Sequence, residues 1–318
     1  MDKTISLRQI LPSLFLLTAT IFAGFPSIGS AQAIFFTENF DNANFAARGW
    51  YDSTGGKLDF ANHIPGSIAS FDCHWIQGGT QCAGGTPHRH LFTASATVYV
   101  SFWMKLGSQT VTWQGSGMSY HPHLIQLLTD ADSSTVGPNS ALLTVLIETS
   151  LFKPRIAVAD SRAINVPQAG PTPGEGPKLL TSATPHAVAG CNGNQNVSAT
   201  CYACPPPSYP AEGAYCNSTY WDAVSPVFVN NQWHHVEFYA AMNSTSAGIA
   251  IPDGVVSYWV DGNLVINYTN IYLRTGDNPY RKFNQLLLAP FIGDGSPIAQ
   301  DLWIDKLIVA DQRMLHRP

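Results

Sequence analysis

The sequence predicts an all-β fold, two antiparallel sheets packed as a sandwich. Three observations point there. After residue 33, helical periodicity is almost absent, and short β-branched and aromatic runs alternate with turn signals. In DGVVSYWVDGNLVINY (253–268), Asp-Gly separates two alternating apolar runs. That is a hairpin signal, because the tight primed turn requires positive φ. Third, only 12% of residues are charged while 11% are aromatic, with abundant Gly, Asn, Ser and Thr, as in exported β proteins. The formal net charge is −5 and no basic patch is present, which disfavours a nucleic-acid partner.

The N-terminal segment reads as temporary. Lys3 and Arg8 precede an apolar run from Ile10 to Phe25, and SIGSAQA follows, with small residues at Ala31 and Ala33. This is the layout of a secretory signal peptide, with cleavage expected after Ala33. The apolar run is short for a bilayer span. Residues 1–33 are therefore expected to be removed. Residues 34–318 are expected to form one exported domain, secreted or periplasmic, with no membrane attachment.

Strands are expected near 34–40, 56–60, 67–72, 97–106, 121–129, 141–149, 154–159, 233–242, 255–261, 263–268, 283–291 and 302–310. Residues 161–231 break this pattern with four Cys and with PQAGPTPGEGP and CPPPSYP. They read as a long loop insertion between two strands of one sandwich, pinned by disulfides. Cys73 and Cys82 would close one short loop. Cys191, Cys201, Cys204 and Cys216 would form two further bridges in one of three pairings. N-x-S/T sequons begin at Asn196, Asn217, Asn243 and Asn267.

QWHHVEFYAAMN (232–243) followed by DGVVSYWVDGNLV (253–265) resembles the concanavalin A-like and laminin-G-like jelly rolls: a W-H-x-V strand, then a strand ending in W-V-D-G. FTENFD (36–41) and QDLWIDKLIVAD (300–311) are similar to the first and last strands of that fold. The resemblance implies a two-sheet antiparallel jelly roll. Its superfamily holds lectins, glycan-binding modules, glycoside hydrolases and polysaccharide lyases, so fold alone does not select a function.

Strand alternation sorts the candidate site residues by face. In 233–242, Val236, Phe238, Ala240 and Met242 share one face, and Trp233, His235, Glu237 and Tyr239 the other. In 97–106, Val98, Val100, Phe102 and Met104 oppose Tyr99, Trp103 and Lys105. The outer face of one sheet in such a sandwich can form a glycan groove, where aromatic rings stack on sugar C–H faces. Tyr99, Trp103, Lys105, Trp233, His235, Glu237 and Tyr258 are the candidate substrate-binding residues. The partner they suggest is an extracellular polysaccharide.

Chemistry narrows less sharply. Glycoside hydrolysis normally uses two carboxylates, yet the chain has only five Glu and lacks the E-x-D-x-x-E pattern of laminarinase-like jelly rolls. A uronate lyase needs other parts: a group to neutralise the carboxylate, a base, and an acid for the leaving oxygen. A basic residue, then a Gln/His strand, then a late Tyr is similar to alginate-lyase-like jelly rolls, although no Q-I-H occurs. That similarity implies Arg89 or Gln126 on the carboxylate and His123 or Tyr239 as base and acid, with Arg89 just before a strand. The alternatives are a non-catalytic glycan-binding module and a structural or adhesive surface protein. HRH (88–90) and HPH (121–123) are weak zinc signals, and loops such as GDGSP (293–297) and TGDNP (275–279) are candidate structural calcium sites. No cofactor is required by any motif.

Overall fold

The computed structural model describes residues 32–51, 55–107, 122–129, 144–159, 219–247, 249–251, 253–271, 273–274, 279–293 and 295–314. The strands, in chain order, are β1 (Ile34–Glu38), β2 (Trp50–Tyr51), β3 (Lys57–Asp59), β4 (Ser70–Trp75), β5 (His88–Ser95), β6 (Thr97–Leu106), β7 (Pro122–Thr129), β8 (Thr144–Ser150), β9 (Lys153–Ala159), β10 (Thr219–Asp222), β11 (Trp233–Ala241), β12 (Thr245–Ser246), β13 (Ile249–Ala250), β14 (Gly254–Val260), β15 (Asn263–Ile271), β16 (Phe283–Ile292) and β17 (Gln300–Ala310). A 3-10 turn, Ala46–Arg48, precedes β2.

Two antiparallel sheets form the predicted sandwich. Sheet I runs β15-β14-β11-β6-β17-β4-β3, with β1 also pairing β17. Sheet II runs β10-β9-β8-β7-β16-β5-β2. First and last strands meet as expected, with Glu38 opposite Leu307. Between the sheets lie Phe71, Phe102, Met104, Phe238 and Ile304 from sheet I, and Ile125, Leu127, Ile147, Leu286 and Leu288 from sheet II. Each such buried side chain contributes roughly 1.5–3 kcal/mol. This is the concanavalin A-like jelly roll.

The hairpin at 254–271 turns at Asp261-Gly262, with φ of 51° and 81°. Both values are positive, as the primed turn demands. The turn does more than reverse the chain: Asp261 accepts from the His235 backbone N–H at 2.8 Å and pairs with His234 Nδ1 at 2.8 Å. The hairpin is thereby tied to the start of β11.

Three expectations need correction. HRHLFTAS is itself a strand, β5, so Arg89 lies inside a strand rather than before one. Polar residues on both its faces hide it from a hydrophobic count. Second, the expected insertion does not run to 231: Thr219–Asp222 pairs with Val158–Arg155 as β10. The remaining Cys-rich stretch, 161–218, lies outside the described residues, as do its four cysteines and the sequons at Asn196 and Asn217. Third, the sequon at Asn243 is closed to modification in the folded chain. Its buried amide donates to Ser244 and Arg274 carbonyls and accepts from the Leu273 and Arg274 N–H groups. Asn267, in contrast, is exposed on β15.

Cys73 and Cys82 are bonded as expected. The bridge pins the crossing from sheet I to sheet II. Within the closed loop Gln81 bridges to Phe291 of β16, and Ile292 N–H donates to the Thr80 carbonyl at 2.9 Å.

Candidate functional site

The structure divides the predicted site residues between the two outer faces of the sandwich. On sheet II, core residues Leu286 and Leu288 alternate with Gln285 and Leu287, which face away. Cross-strand register then builds a row on the outer face: Tyr51 of β2, Arg89 of β5, Leu287 of β16 and Gln126 of β7 stand directly opposite one another in turn. Directly opposite residues share a face, with Cβ atoms about 5 Å apart. A second row runs His123, Glu148, Arg155, Asp222 across β7 to β10. Glu148 and Arg155 lie two residues along from their strands' positions in the first row, about 7 Å away on the same face.

Polar contacts join neighbouring strands across this face. Arg89 Nη1 donates to Gln285 Oε1 at 3.0 Å. His123 Nδ1 pairs with Glu148 Oε1. Arg155 grips Asp222 bidentately, Nε at 2.6 Å and Nη2 at 3.0 Å. The His123 ring stacks on Phe291, centroids 4.3 Å apart and 10° from parallel. A bulge in β7 between His123 and Ile125, and another in β16 before Phe291, turn these two rings onto each other.

Burial shows what kind of face this is. Arg89, Gln285, Leu287 and Leu128 are buried although they point away from the core. Such a face is a floor rather than a free surface. His123, Gln126 and Tyr51 are half-exposed, and Asp222 is exposed. The half-exposed imidazole of His123 against the buried carboxylate of Glu148 is a pairing that a general base can use.

The other candidates are elsewhere. Tyr99, Trp103, Lys105, Trp233, His235, Glu237 and Tyr239 all lie on the outer face of sheet I, in the register Trp233–Lys105, His235–Trp103, Glu237–Ser101 and Tyr239–Tyr99. Tyr239 therefore does not meet Arg89, His123 or Gln126, because the whole thickness of the core intervenes. Tyr258 points into the core and is fully buried, which removes it from the surface set. Val256 and Val260 share its face, and that apolar company was the available signal. Glu237 and His235 are buried within their own network. Tyr99 Oη donates to Glu237 at 2.9 Å, Arg313 grips Glu237 with two bonds of 3.0 and 3.1 Å, and His235 Nε2 pairs with Ser101. Burial works to raise the Glu237 carboxyl, but the bonds from Arg313 and Tyr99 and the Arg313 charge outweigh it and hold it below 4.5.

The sequence reading missed Tyr51, Glu148, Arg155, Asp222, Gln285 and Phe291. Glu148 and Arg155 had a signal: charged residues inside otherwise apolar runs, VLIETS and KPRIAVA. Among the described residues, no group of three His, Cys, Asp or Glu side chains converges to hold a metal ion. His121, Asp277 and Asp294, from the motifs considered for zinc and calcium, lie outside the described residues.

No family model and no curated protein matches the chain in sequence. Solved structures do match in fold. The alginate lyase vAL-1 from Chlorella virus is 10% identical with a TM-score of 0.52, covering 88% of this chain and 100% of its own. The PL-14 alginate lyase from Aplysia kurodai is 9% identical with a TM-score of 0.52 and the same coverage. The endo-β-1,4-glucuronan lyase from the fungus Trichoderma reesei is 12% identical with a TM-score of 0.50, covering 87% of this chain and 95% of its own. At such identities the likeness concerns the fold alone.

Proposed function

We propose that the protein is an exported lyase that cleaves a uronate-containing polysaccharide by β-elimination on the outer face of sheet II. The observation that carries this reading is His123. Its ring stacks on Phe291, its Nδ1 lies in ion-pair contact with the buried Glu148, and it stands on the face that also carries Gln126 and Arg89. The fold neighbours that act on alginate and glucuronan support the choice of uronate polymers as the substrate class.

The chemistry follows from those parts. Gln126 hydrogen-bonds the uronate carboxylate, and the buried Arg89 adds its positive charge from beneath, so that together they stabilise the charge that develops as the adjacent carbon loses its proton. His123 Nε2 takes that proton. The electron pair forms the carbon–carbon double bond, and the bond to the glycosidic oxygen breaks. The leaving oxygen is protonated by the imidazolium just formed, which returns His123 to its neutral state. No hydrolytic water is consumed, and the new chain end is an unsaturated uronate.

Ultraviolet absorbance of that unsaturated product tests the reading, with purified protein on alginate and polyglucuronate. A rising signal is expected, falling by about 100-fold or more in His123→Ala, the usual scale of a lost acid–base group. A flat signal from the wild type on both polymers would sink the proposal. Export is proposed from the Lys3–Phe25 pattern together with the start of the first strand at Ile34, directly after the expected cut. N-terminal sequencing of exported protein should begin at Ile34.

A further inference from the structure

The outer face of sheet I carries its own constellation, which the proposed chemistry does not use. Trp303, Lys105 and Trp233 stand directly opposite one another on β17, β6 and β11. Lys105 is only 7% exposed, and its Nζ lies 4.7 Å from the Trp303 ring centroid and 5.7 Å from that of Trp233. It donates to Asn62 Oδ1 at 2.6 Å, and Asp59, bonded to the same Asn62 and to Trp303, acts on it through space. Among the described residues, no carboxylate comes within ion-pairing distance of it. Lys57 on β3, in contrast, pairs with Asp72, and Arg313 just past β17 pairs with Glu237. A buried ammonium without a counter-ion is costly unless something supplies one.

The rings around it are held in place and half-exposed. Trp303 Nε1 donates to Asp59 at 2.9 Å, and Trp103 leans on His235, centroids 5.1 Å apart. His235 is fixed in turn by Ser101 at 2.8 Å. Trp259 on the same face is different, since the Arg313 guanidinium lies 4.2 Å over its ring. Trp303 and Trp233 are two strand spacings apart, about 10 Å, which suits alternate sugar rings of a 1,4-linked chain. Two fixed aromatic platforms with a cation between them that, among the described residues, makes no direct ion pair match a sugar chain that carries carboxylates.

We propose that the outer face of sheet I, centred on Lys105 between Trp233 and Trp303 and extended by Trp103, is a second contact surface that holds a uronate polymer without cleaving it. This rests on the proposed substrate class but not on the proposed cleavage. The occupant is an acidic polysaccharide rather than a protein, because planar rings flanking a cation read repeated rings and repeated charge. Neutral glucans lack the carboxylate and bind more weakly.

Affinity electrophoresis of the full chain through gels holding alginate, polyglucuronate or a neutral glucan tests this. Wild type should be retarded by at least one of the acidic polymers and less by the neutral one. His123→Ala should lose turnover but keep wild-type retardation. Trp233→Ala and Lys105→Met should weaken acidic-polymer affinity by about tenfold, the scale of one lost stacking or charge contact. Melting curves check folding, and Trp233→Phe, which keeps an apolar ring, serves if Trp233→Ala unfolds. Unchanged retardation in folded Trp233 and Lys105 variants would overturn the proposal, as would a wild type that neither acidic polymer retards. Turnover together with retardation that does not depend on Trp233 rejects this surface alone. Trp233-dependent retardation without turnover rejects the cleavage alone.

Discussion

On the outer face of sheet I, most buried charges are closed off in local networks: Glu237 between Tyr99 and Arg313, Lys57 on Asp72, and Asp305 accepting from Ile64 and Ser67. On sheet II the polar groups stand side by side across strands: Arg89 bonded to Gln285, Gln126 in the same row as Arg89, and the His123–Glu148 pair beside them. Both faces come from the same alternation around the same core. The difference lies in what is left available. Sheet I offers aromatic rings and one cation, which suits holding. Sheet II offers a carboxylate-paired imidazole beside amide and guanidinium groups, which suits proton transfer.

The largest effects should come from exchanging a residue of one face for its counterpart on the other. Arg89→Ala should lower turnover by about 100-fold or more, through loss of charge stabilisation on the uronate. Arg89→Lys should recover little, since the ammonium lacks the planar fork that holds Gln285 in the buried floor. Tyr239→Phe should change turnover by less than about twofold, because Tyr239 faces the opposite side of the sandwich. Comparable losses in Arg89→Ala and Tyr239→Phe would break the assignment of chemistry to sheet II.

Next in size is the clamp between the sheets. Replacing Cys73 and Cys82 together by Ser should cost about 2–3 kcal/mol, from the loop-closure entropy returned to the unfolded chain. The loop they close touches Phe291, the ring under His123. Turnover should therefore fall more than polymer retention does, and melting curves run beside both assays separate the two consequences. Equal losses would mean that the loop supports the whole sandwich rather than this side of it.

These contrasts also show how far the sequence could be read. Parity along β6 and β11 was legible, because Val98, Val100, Phe102 and Met104 alternate cleanly with polar and aromatic partners. The hairpin at Asp261-Gly262 was legible from turn chemistry alone. What alternation does not carry is sheet membership. Arg89 and Tyr239 look equally available in sequence, yet β5 pairs with β16 and β11 pairs with β6. Those pairings are set by contacts between residues far apart in the chain, which local patterns do not encode. The bulges that stack His123 on Phe291 are hidden for a similar reason, since an extra residue leaves no compositional mark.

A smaller effect follows from pH. The Glu237 carboxyl is held below its ordinary 4.5 in the folded chain, so its contribution to stability is complete above that value. It is lost as pH falls through the folded value, because the protonated form gives up the charge it offers Arg313. Glu237→Gln should therefore make the melting temperature less sensitive to pH below about 4.5, while leaving the pH profile of turnover in place. A turnover profile that moves with Glu237 would tie the two faces together energetically.

The smallest expected change lies in the core between the faces. Tyr258 is fully buried, and its hydroxyl has no hydrogen-bond partner among the described residues. Burial pushes that phenol far up, with the charge of Glu148 adding to the shift, so it stays neutral across the working pH range. A buried hydroxyl without a partner loses its hydration and gains nothing in return. Tyr258→Phe removes only that oxygen and keeps the ring packed with Phe238 and Ile266 on the neighbouring strands. Stability should rise by about 1 kcal/mol, read as an upward shift in denaturation midpoint at unchanged slope, with turnover and polymer retention both intact. A loss of turnover would instead assign the hydroxyl a working partner on the Glu148 side, and the core would then join the two faces rather than part them.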